Sequence, residues 1–221
     1  LAKLYVVATP IGNLEDITLR ALKVLGDVGL IAAEDTRHTR KLLSHYGIST
    51  RTTSYHEHNE REKAPRLIER IKQGTDVALV TDAGTPGISD PGYRLVRLAH
   101  EESVEVESVP GPSALTAVLA VAGIPSDEFT FKGFVPSTPS RRRAFLAALK
   151  GCATTYIMYE SPRRLKGTLG DILEILGDVE IVIAREMTKL HEEILRGRTS
   201  GVAERLAKRE VKGEITIVLR T

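Results

Sequence analysis

Apolar runs and helix-spaced patterns alternate along the chain from its first residues. Leu4-Tyr5-Val6-Val7-Ala8 predicts a buried strand, Thr18 to Leu25 a helix, Leu30-Ile31-Ala32-Ala33 a strand, and Thr36 to Tyr46 a helix stopped by Gly47. Past a polar turn after Ser54, Ala64, Leu67, Ile68 and Ile71 share one face of a helix closed by Gly74. Val77-Ala78-Leu79-Val80 predicts the next buried strand, Tyr93 to Glu102 a helix, and Val104 to Val109 a strand. Pro112 is placed to open a helix over Ser113 to Ala122, which Gly123 ends. Strands buried on both faces and separated by helices imply a mostly parallel sheet covered on each side, so the first half reads as an open α/β domain.

Beyond Pro125 the alternation restarts. The predicted order is strand Phe129 to Gly133, helix Arg141 to Lys150, strand Thr155 to Tyr159, helix Pro162 to Leu176 and strand Glu180 to Ala184. A strand near Glu193 to Leu195, a helix Val202 to Lys208 and a strand Ile215 to Leu219 complete it. The expectation is two α/β domains, 1–115 and 116–221, each within the usual domain size. Neither an internal repeat nor a low-complexity segment breaks the pattern.

Composition narrows the class. With 42% hydrophobic and 27% charged residues in 221, the chain can bury a core, which excludes disorder and collagen-like repetition. No apolar run reaches the roughly 18 residues that cross a bilayer, and Leu1-Ala2-Lys3 begins no secretory pattern. The expectation is a cytoplasmic protein with no membrane partner. Because the first residue is not Met and the chain stops directly after a predicted strand, the sequence is also expected to be trimmed from a longer one. Cys152 is the only cysteine, so an intrachain disulfide is impossible and a thiolate zinc site is not expected. Charge is balanced overall but not locally: between Lys132 and Gly170 eight Lys or Arg face the single acid Glu160, while the remainder holds 23 basic against 28 acidic residues. Such a stretch suits a polyanion, or it is an ordinary solvated face.

In open parallel sheets ligands sit at the carboxyl ends of strands, so the loops there carry the candidate chemistry. The first is Thr9-Pro10-Ile11-Gly12-Asn13-Leu14-Glu15-Asp16-Ile17-Thr18, a tight turn offering Asp16 or Thr18 as a helix cap. It lacks the spacing of a dinucleotide fingerprint, and the chain has no phosphate-binding P-loop. The second, Glu34-Asp35-Thr36-Arg37-His38-Thr39-Arg40, joins two carboxylates to cations; capping would explain the acids but does not require Arg37 and His38 beside them. His56 and His58, spaced i, i+2, raise a metal reading that no cysteine supports. The densest signal is Thr81-Asp82-Ala83-Gly84-Thr85-Pro86-Gly87-Ile88-Ser89-Asp90-Pro91-Gly92, where three Gly and two Pro in twelve residues let a ligand approach the backbone. Val109-Pro110-Gly111-Pro112-Ser113-Ala114 repeats the arrangement.

Taken in order, TPIGNLEDIT, AAEDTRHT, TDAGTPGISDPG, VPGPSA, YESPRRL, AREMTK and KGE resemble the tetrapyrrole methylase superfamily, and within it the branch acting on ribosomal RNA. The resemblance runs from Leu4 to Leu219. It implies a dimeric enzyme of two α/β domains that binds S-adenosylmethionine in a cleft between them. It also implies methylation of the 2′-hydroxyl of a cytidine near the decoding centre of small-subunit ribosomal RNA, in an assembled 30S particle. Members often continue into a short helical extension, which this sequence, ending at Thr221, does not include. By position, Pro10 would wall the cofactor site, with Thr9 and Ile11 in place of the superfamily's flanking glycines. Asp82, Ala83, Gly84 and Thr85 would contact the methionine part of the cofactor through backbone groups, Ser113 and Ala114 would lie beside it, and Glu160 and Ala184 would close over adenine and ribose.

The implied reaction is an in-line displacement by a ribose oxygen, needing alignment and a proton acceptor but no metal. Candidate catalytic groups are Asp35, Glu160, Glu186 and Lys189, with Arg37, Arg185 and Lys189 as phosphate or carboxylate partners; singly, each also reads as a structural ion pair. Arg37, Arg141, Arg142, Arg143, Arg163 and Arg164 are the candidate RNA-binding residues. At about 100° per residue the three consecutive arginines fan around their helix, so they cannot all meet one phosphate. Arg163 and Arg164 are expected to open the next helix after Ser161 as cap and Pro162 as first residue. Three rival readings are a methyltransferase of the same fold acting on a tetrapyrrole or another small molecule, a nonenzymatic RNA-binding module, and a nucleotide hydrolase.

Overall fold

The computed structural model describes residues 2–221, and the chain divides into two compact units, Leu1–Ser113 and Ala114–Thr221. The first unit is built on a five-stranded sheet: β1 (Leu4–Val7), β2 (Leu30–Ala33), β3 (Thr52–Ser54), β4 (Val77–Val80) and β5 (Val106–Val109), in the order β3-β2-β4-β1-β5. All of these pairings are parallel. The connecting helices are α1 (Leu19–Asp27), α2 (Thr36–His45), α3 (Glu60–Lys72) and α4 (Tyr93–Glu101). β2 and β4, the runs LIAA and VALV, are buried at every position, as strands inside a doubly covered sheet must be. Leu4, Ala32 and Leu79 pack against α3 and α4 on one face; Val7, Ile31 and Val80 pack against α1 and α2 on the other.

Local chemistry sets the helix starts. Thr18, not Asp16, caps α1 by accepting from the Ala21 N–H, and Asp35 caps α2 by accepting from the Arg37 N–H. Asp16 lies instead in a short 3-10 turn, Leu14–Asp16. β3 was not foreseen. Its three polar residues carry no apolar alternation, and it forms because the β2 edge offers parallel partners, Ile31 opposite Thr52.

The second unit contains α5 (Ala114–Ala122), β6 (Phe129–Phe134), α6 (Pro139–Ala147), β7 (Thr155–Glu160), α7 (Leu165–Leu176), β8 (Glu180–Arg185), β9 (Glu193–Arg198), α8 (Thr199–Ala207) and β10 (Ile215–Arg220). Its sheet runs β6-β7-β10-β8-β9 and is mixed: only β6 and β7 pair in parallel, and β10 is antiparallel to both β7 and β8. Leu146, Leu165, Leu169, Ile172 and Val202 fill one face, and α5 covers the other over Ile157, Val182, Ala184 and Val218.

Two expectations for this half need correction. Pro162 does not start α7. The helix begins at Leu165, after a turn in which the N–H groups of Arg164 and Leu165 both donate to the Ser161 carbonyl, so Arg163 lies in the turn and Arg164 at the cap position without a side-chain cap. The helix carrying the three arginines starts at Pro139 and ends at Ala147, before Lys150, and Arg142 on it is 8% exposed.

Candidate active site and RNA-facing residues

Four loops at the carboxyl edge of the first sheet are tied to one another. Thr9 N–H donates to the Gly84 carbonyl at 2.9 Å and Gly84 N–H donates back to Thr9 at 3.0 Å, which locks the loop after β1 to the loop after β4. Thr9 Oγ1 adds a bond to the Thr81 carbonyl, and Thr85 Oγ1 donates to the Pro112 carbonyl at 3.3 Å, fastening the loop after β5. The loop after β2 joins through a reciprocal pair: Asp35 N–H donates to Asp82 Oδ1 and Asp82 N–H to Glu34 Oε2. Pro10, Asp35 and Asp82 to Thr85 are thus brought together along one edge, as expected where a ligand meets an open α/β sheet.

Glycine is required at the centre of this edge. Gly84 has φ +83, a conformation that costs side-chain-bearing residues about 1–2 kcal/mol. A Cβ there would stand 3.5 Å from Ile11 Cγ2 and 3.9 Å from the Pro112 carbonyl. Thr81 Oγ1, at the end of β4, is buried without a hydrogen-bond partner. Tightly turned backbone, small side chains and one orphaned hydroxyl fit the amino-acid end of S-adenosylmethionine, whose ammonium and carboxylate need polar backbone groups.

The charges on this edge differ sharply. Hydrogen bonds from the Arg37 side chain and backbone hold the Asp35 carboxyl well below the usual carboxylate range, which makes it a weak base. Burial pushes Glu34 upward, with Asp82 and Glu57 adding like charge against the opposing Asp82 N–H bond. Sequence reasoning treated Glu34 as one of two capping acids. Nothing in the local pattern separates the two acids, since β2 is buried at every position and both carboxylates that follow it are half-buried; they differ in their partners, Arg37 for Asp35 and the Asp82 N–H for Glu34.

In the second unit β6, β7 and β8 end at the same edge, since Glu160 and Arg185 both flank Ile215. Glu160 is 2% exposed and spent within the β7–α7 connection: Oε1 accepts from Ser161 N–H and from Arg164 Nε at 2.9 Å, and Oε2 from Thr168 Oγ1. Ala184 is buried beneath α5. Glu186, with φ +51, accepts from Lys189 Nζ and from Glu214 N–H, each at 2.9 Å. Burial opposes ionisation of Glu186, but these bonds outweigh it and its carboxyl lies below the usual range. For Lys189 burial is likewise outweighed, by Glu186 and Glu214, and its ammonium is raised. Arg185 pairs with Glu193.

The arginines also sort by environment. Arg142 Nε bonds Asp171 at 2.6 Å, and Arg143 bonds Asp171 at 2.8 Å and also Glu174, so both guanidiniums fasten α6 to α7. Arg141 and Arg163 are exposed and have no ion pair among the described residues. His56 Nε2 faces Asn59, and no cluster of three or more His, Cys, Asp or Glu suited to a metal ion occurs among the described residues.

Known proteins fit this geometry. A ribosomal RNA small subunit methyltransferase I from Thermotoga maritima is 51% identical over 219 residues, covering 99% of this chain and 98% of the relative. A protein of the same name from Escherichia coli O157:H7 is 47% identical over 223 residues, covering 98% of this chain and 77% of the relative. The solved structure of a diphthine synthase superposes with a TM-score of 0.74 over 99% of this chain and 90% of its own, at 16% identity. A uroporphyrin-III-C-methyltransferase from Thermus thermophilus gives 0.69 over 99% and 94%, at 18% identity. At such identities these two structures speak for the fold alone. Residues 3–203 match the family of tetrapyrrole (corrin/porphyrin) methylases, and with relatives near half identity along almost the whole sequence, the chain belongs to that family.

Proposed function

We propose that this chain is a cytoplasmic, homodimeric S-adenosylmethionine-dependent methyltransferase that methylates the ribose 2′-hydroxyl of a cytidine in small-subunit ribosomal RNA, near the decoding centre and in the assembled particle. The observation that carries the reading is the 51% identity, over 219 residues, to a protein named for that RNA. When bound, the cofactor supplies a methyl group already activated on a sulfonium sulfur. The work left to the chain is to hold two reactants in line and to take up one proton. Pro10, Asp82, Ala83, Gly84, Thr85, Ser113 and Ala114 would hold the cofactor. Proton acceptance suits Glu34 better than Asp35, because a carboxyl raised by burial is the stronger base and its Oε1 accepts no hydrogen bond among the described residues. Glu160, Glu186 and Lys189 are given positioning roles, since Glu160 is consumed within the β7–α7 connection and Glu186 and Lys189 in bonds to each other and to Glu214.

Arg141 and Arg163 are the cations left to meet phosphates; Arg142 and Arg143 are held by Asp171 and Glu174, Arg164 by Glu160, and Arg37 by Asp35. These free cations favour RNA over a tetrapyrrole. For the dimer, a second copy would cover a groove of about 710 Å³ on the α4 side of β1 and β5, lined by half-buried Val6 and Val106 and by exposed Ile88 and Tyr93.

The test is mass mapping of RNA after incubation with labelled S-adenosylmethionine, comparing assembled small subunits with naked RNA. A methylated sugar fragment, from assembled subunits in preference to naked RNA, is expected. A methylated base, or no transfer to either substrate, would overturn the proposal.

A further inference from the structure

Three of the chain's four phenylalanines, Phe129, Phe131 and Phe134, lie on β6, an edge strand of the second sheet. In a regular strand Phe131 and Phe134, three apart, would point to opposite faces. Here they do not. Phe131 stands opposite Ile157 and Phe134 opposite Tyr159, so three steps on β6 span two on β7, and the extra residue is accommodated at Gly133, φ +67. The bulge turns Phe134 onto the face of Phe131 and Tyr159. Tyr159 then meets both rings edge to face, with centroids 5.0 Å from Phe131 and 5.3 Å from Phe134. Phe131 packs under α5, but Phe134 is 60% exposed.

A large aromatic held open on an edge strand invites aggregation, and a bulge that aims it outward does not serve packing. The surroundings name the occupant. β6 and β7 are parallel, so the loops after both strands meet at one edge, tied by Arg164 Nη2 to the Val135 carbonyl. Arg141, in the first turn of α6 after β6, and Arg163, in the turn after β7, lie on the two connections that leave that edge; both are exposed and have no ion pair among the described residues. Aromatic rings at a strand end and cations on the connections that leave it are what an unpaired nucleotide requires, a π-face for its base and positive charge for its phosphates.

We propose that Phe134, supported by Tyr159, is a stacking platform for an unpaired base of the RNA substrate, with Arg141 and Arg163 holding the adjoining phosphates. This rests on the reading of the chain as an RNA methyltransferase and adds a binding subsite to it. The probe is a short single-stranded RNA carrying 2-aminopurine, whose fluorescence is quenched by stacking, titrated into the full chain. Phe134→Ala is expected to abolish the quenching and weaken RNA binding about tenfold, and Phe134→Trp to restore both. Affinity for S-adenosylmethionine and sedimentation are expected to stay as in the wild type. The platform is overturned if Phe134→Ala keeps wild-type quenching and affinity. It is equally overturned if that variant loses the cofactor, since the ring would then belong to the cofactor site, or changes its sedimentation, since the ring would then face a second copy. Phe134→Leu keeps apolar bulk without a π-face and is expected to behave as the Ala variant; wild-type quenching in it would also refute stacking. Quenching by a wild type that methylates no RNA would leave the platform standing and remove the functional reading instead.

Discussion

Two residues at the edge of the first sheet show how backbone conformation and burial assign work to side chains of ordinary type. Gly84 is held in the left-handed region by its mutual bonds with Thr9, so any side chain is strained there whatever space surrounds it. Gly84→Ala is expected to lower unfolding stability by about 1–2 kcal/mol in urea titrations. Gly84→Val adds branching where Ile11 and the Pro112 carbonyl stand close, and is expected to abolish S-adenosylmethionine uptake by calorimetry. Unchanged cofactor affinity in a folded Val variant would remove this loop from the site. Glu34 presents the opposite case, a side chain whose environment disfavours its charge. Because its folded pKa is raised, its cost to stability is absent below the usual carboxylate range and grows as pH rises through the raised value. Glu34→Gln should therefore flatten that pH dependence of stability. It is also expected to lower the methyl-transfer rate by about 10²–10⁴ while cofactor affinity holds. A variant with full kcat would show that proton removal needs no help from Glu34.

Among the elements, α6 is most informative, since one run of three arginines divides between structure and surface. Arg142 points into the α6–α7 contact, where Asp171 answers it, and Arg143 is shared between Asp171 and Glu174. Removing Arg142 leaves Asp171, itself 13% exposed, short of a partner. Arg142→Gln is expected to cost about 3 kcal/mol. Arg141→Gln should stay within about 0.5 kcal/mol of wild type. Burial alone would raise the Asp171 carboxyl; hydrogen bonds from Arg142 and Arg143 more than reverse this and hold it below its ordinary value. A depressed acid contributes stability that is present above its unfolded pKa of about 4 and is lost as pH falls through the folded value. Acid titration of the unfolding midpoint should accordingly be less steep in the Arg142 variant. Equal slopes would mean that the pair contributes nothing to acid sensitivity.

At the scale of the whole molecule, charge and assembly are the quantities to measure. The chain carries a formal net charge of only +2, so affinity for a polyanion has to come from local cations rather than from the overall field. Replacing Arg141 and Arg163 together by Gln should flatten the slope of log RNA affinity against log salt by about one and a half units. S-adenosylmethionine binding should not change. An unaltered slope would move the RNA surface elsewhere. Assembly is tested at the groove beside α4, where Tyr93 is 67% exposed. Tyr93→Asp places a charge in an apolar contact and is expected to convert a dimer to a monomer in sedimentation experiments. A dimer that persists would place the interface on another face.

Order and type of elements were legible in the chain because they depend on local spacing. LIAA and VALV can only be strands buried on both sides, and Thr18 and Asp35 cap because their oxygens reach the next turn. Residue types also disclosed the loops that carry Gly84 and Asp82, since glycine and proline mark backbone conformation directly. Pairing was not legible. β3 exists because β2 offers an edge, and the second sheet is mixed because β10 inserts between β7 and β8; both are contacts between segments far apart in sequence. The same limit applied to charge. Sequence places Arg141, Arg142 and Arg143 side by side and Glu34 next to Asp35, but ionisation and availability depend on what packs opposite each group. Asp171 packs opposite Arg142 and occupies it, whereas burial raises Glu34 against the one Asp82 N–H bond that opposes the shift. A bulge of one residue turned Phe134 onto an open face, which a period-two pattern cannot encode, since only the register against Tyr159 reveals the extra residue.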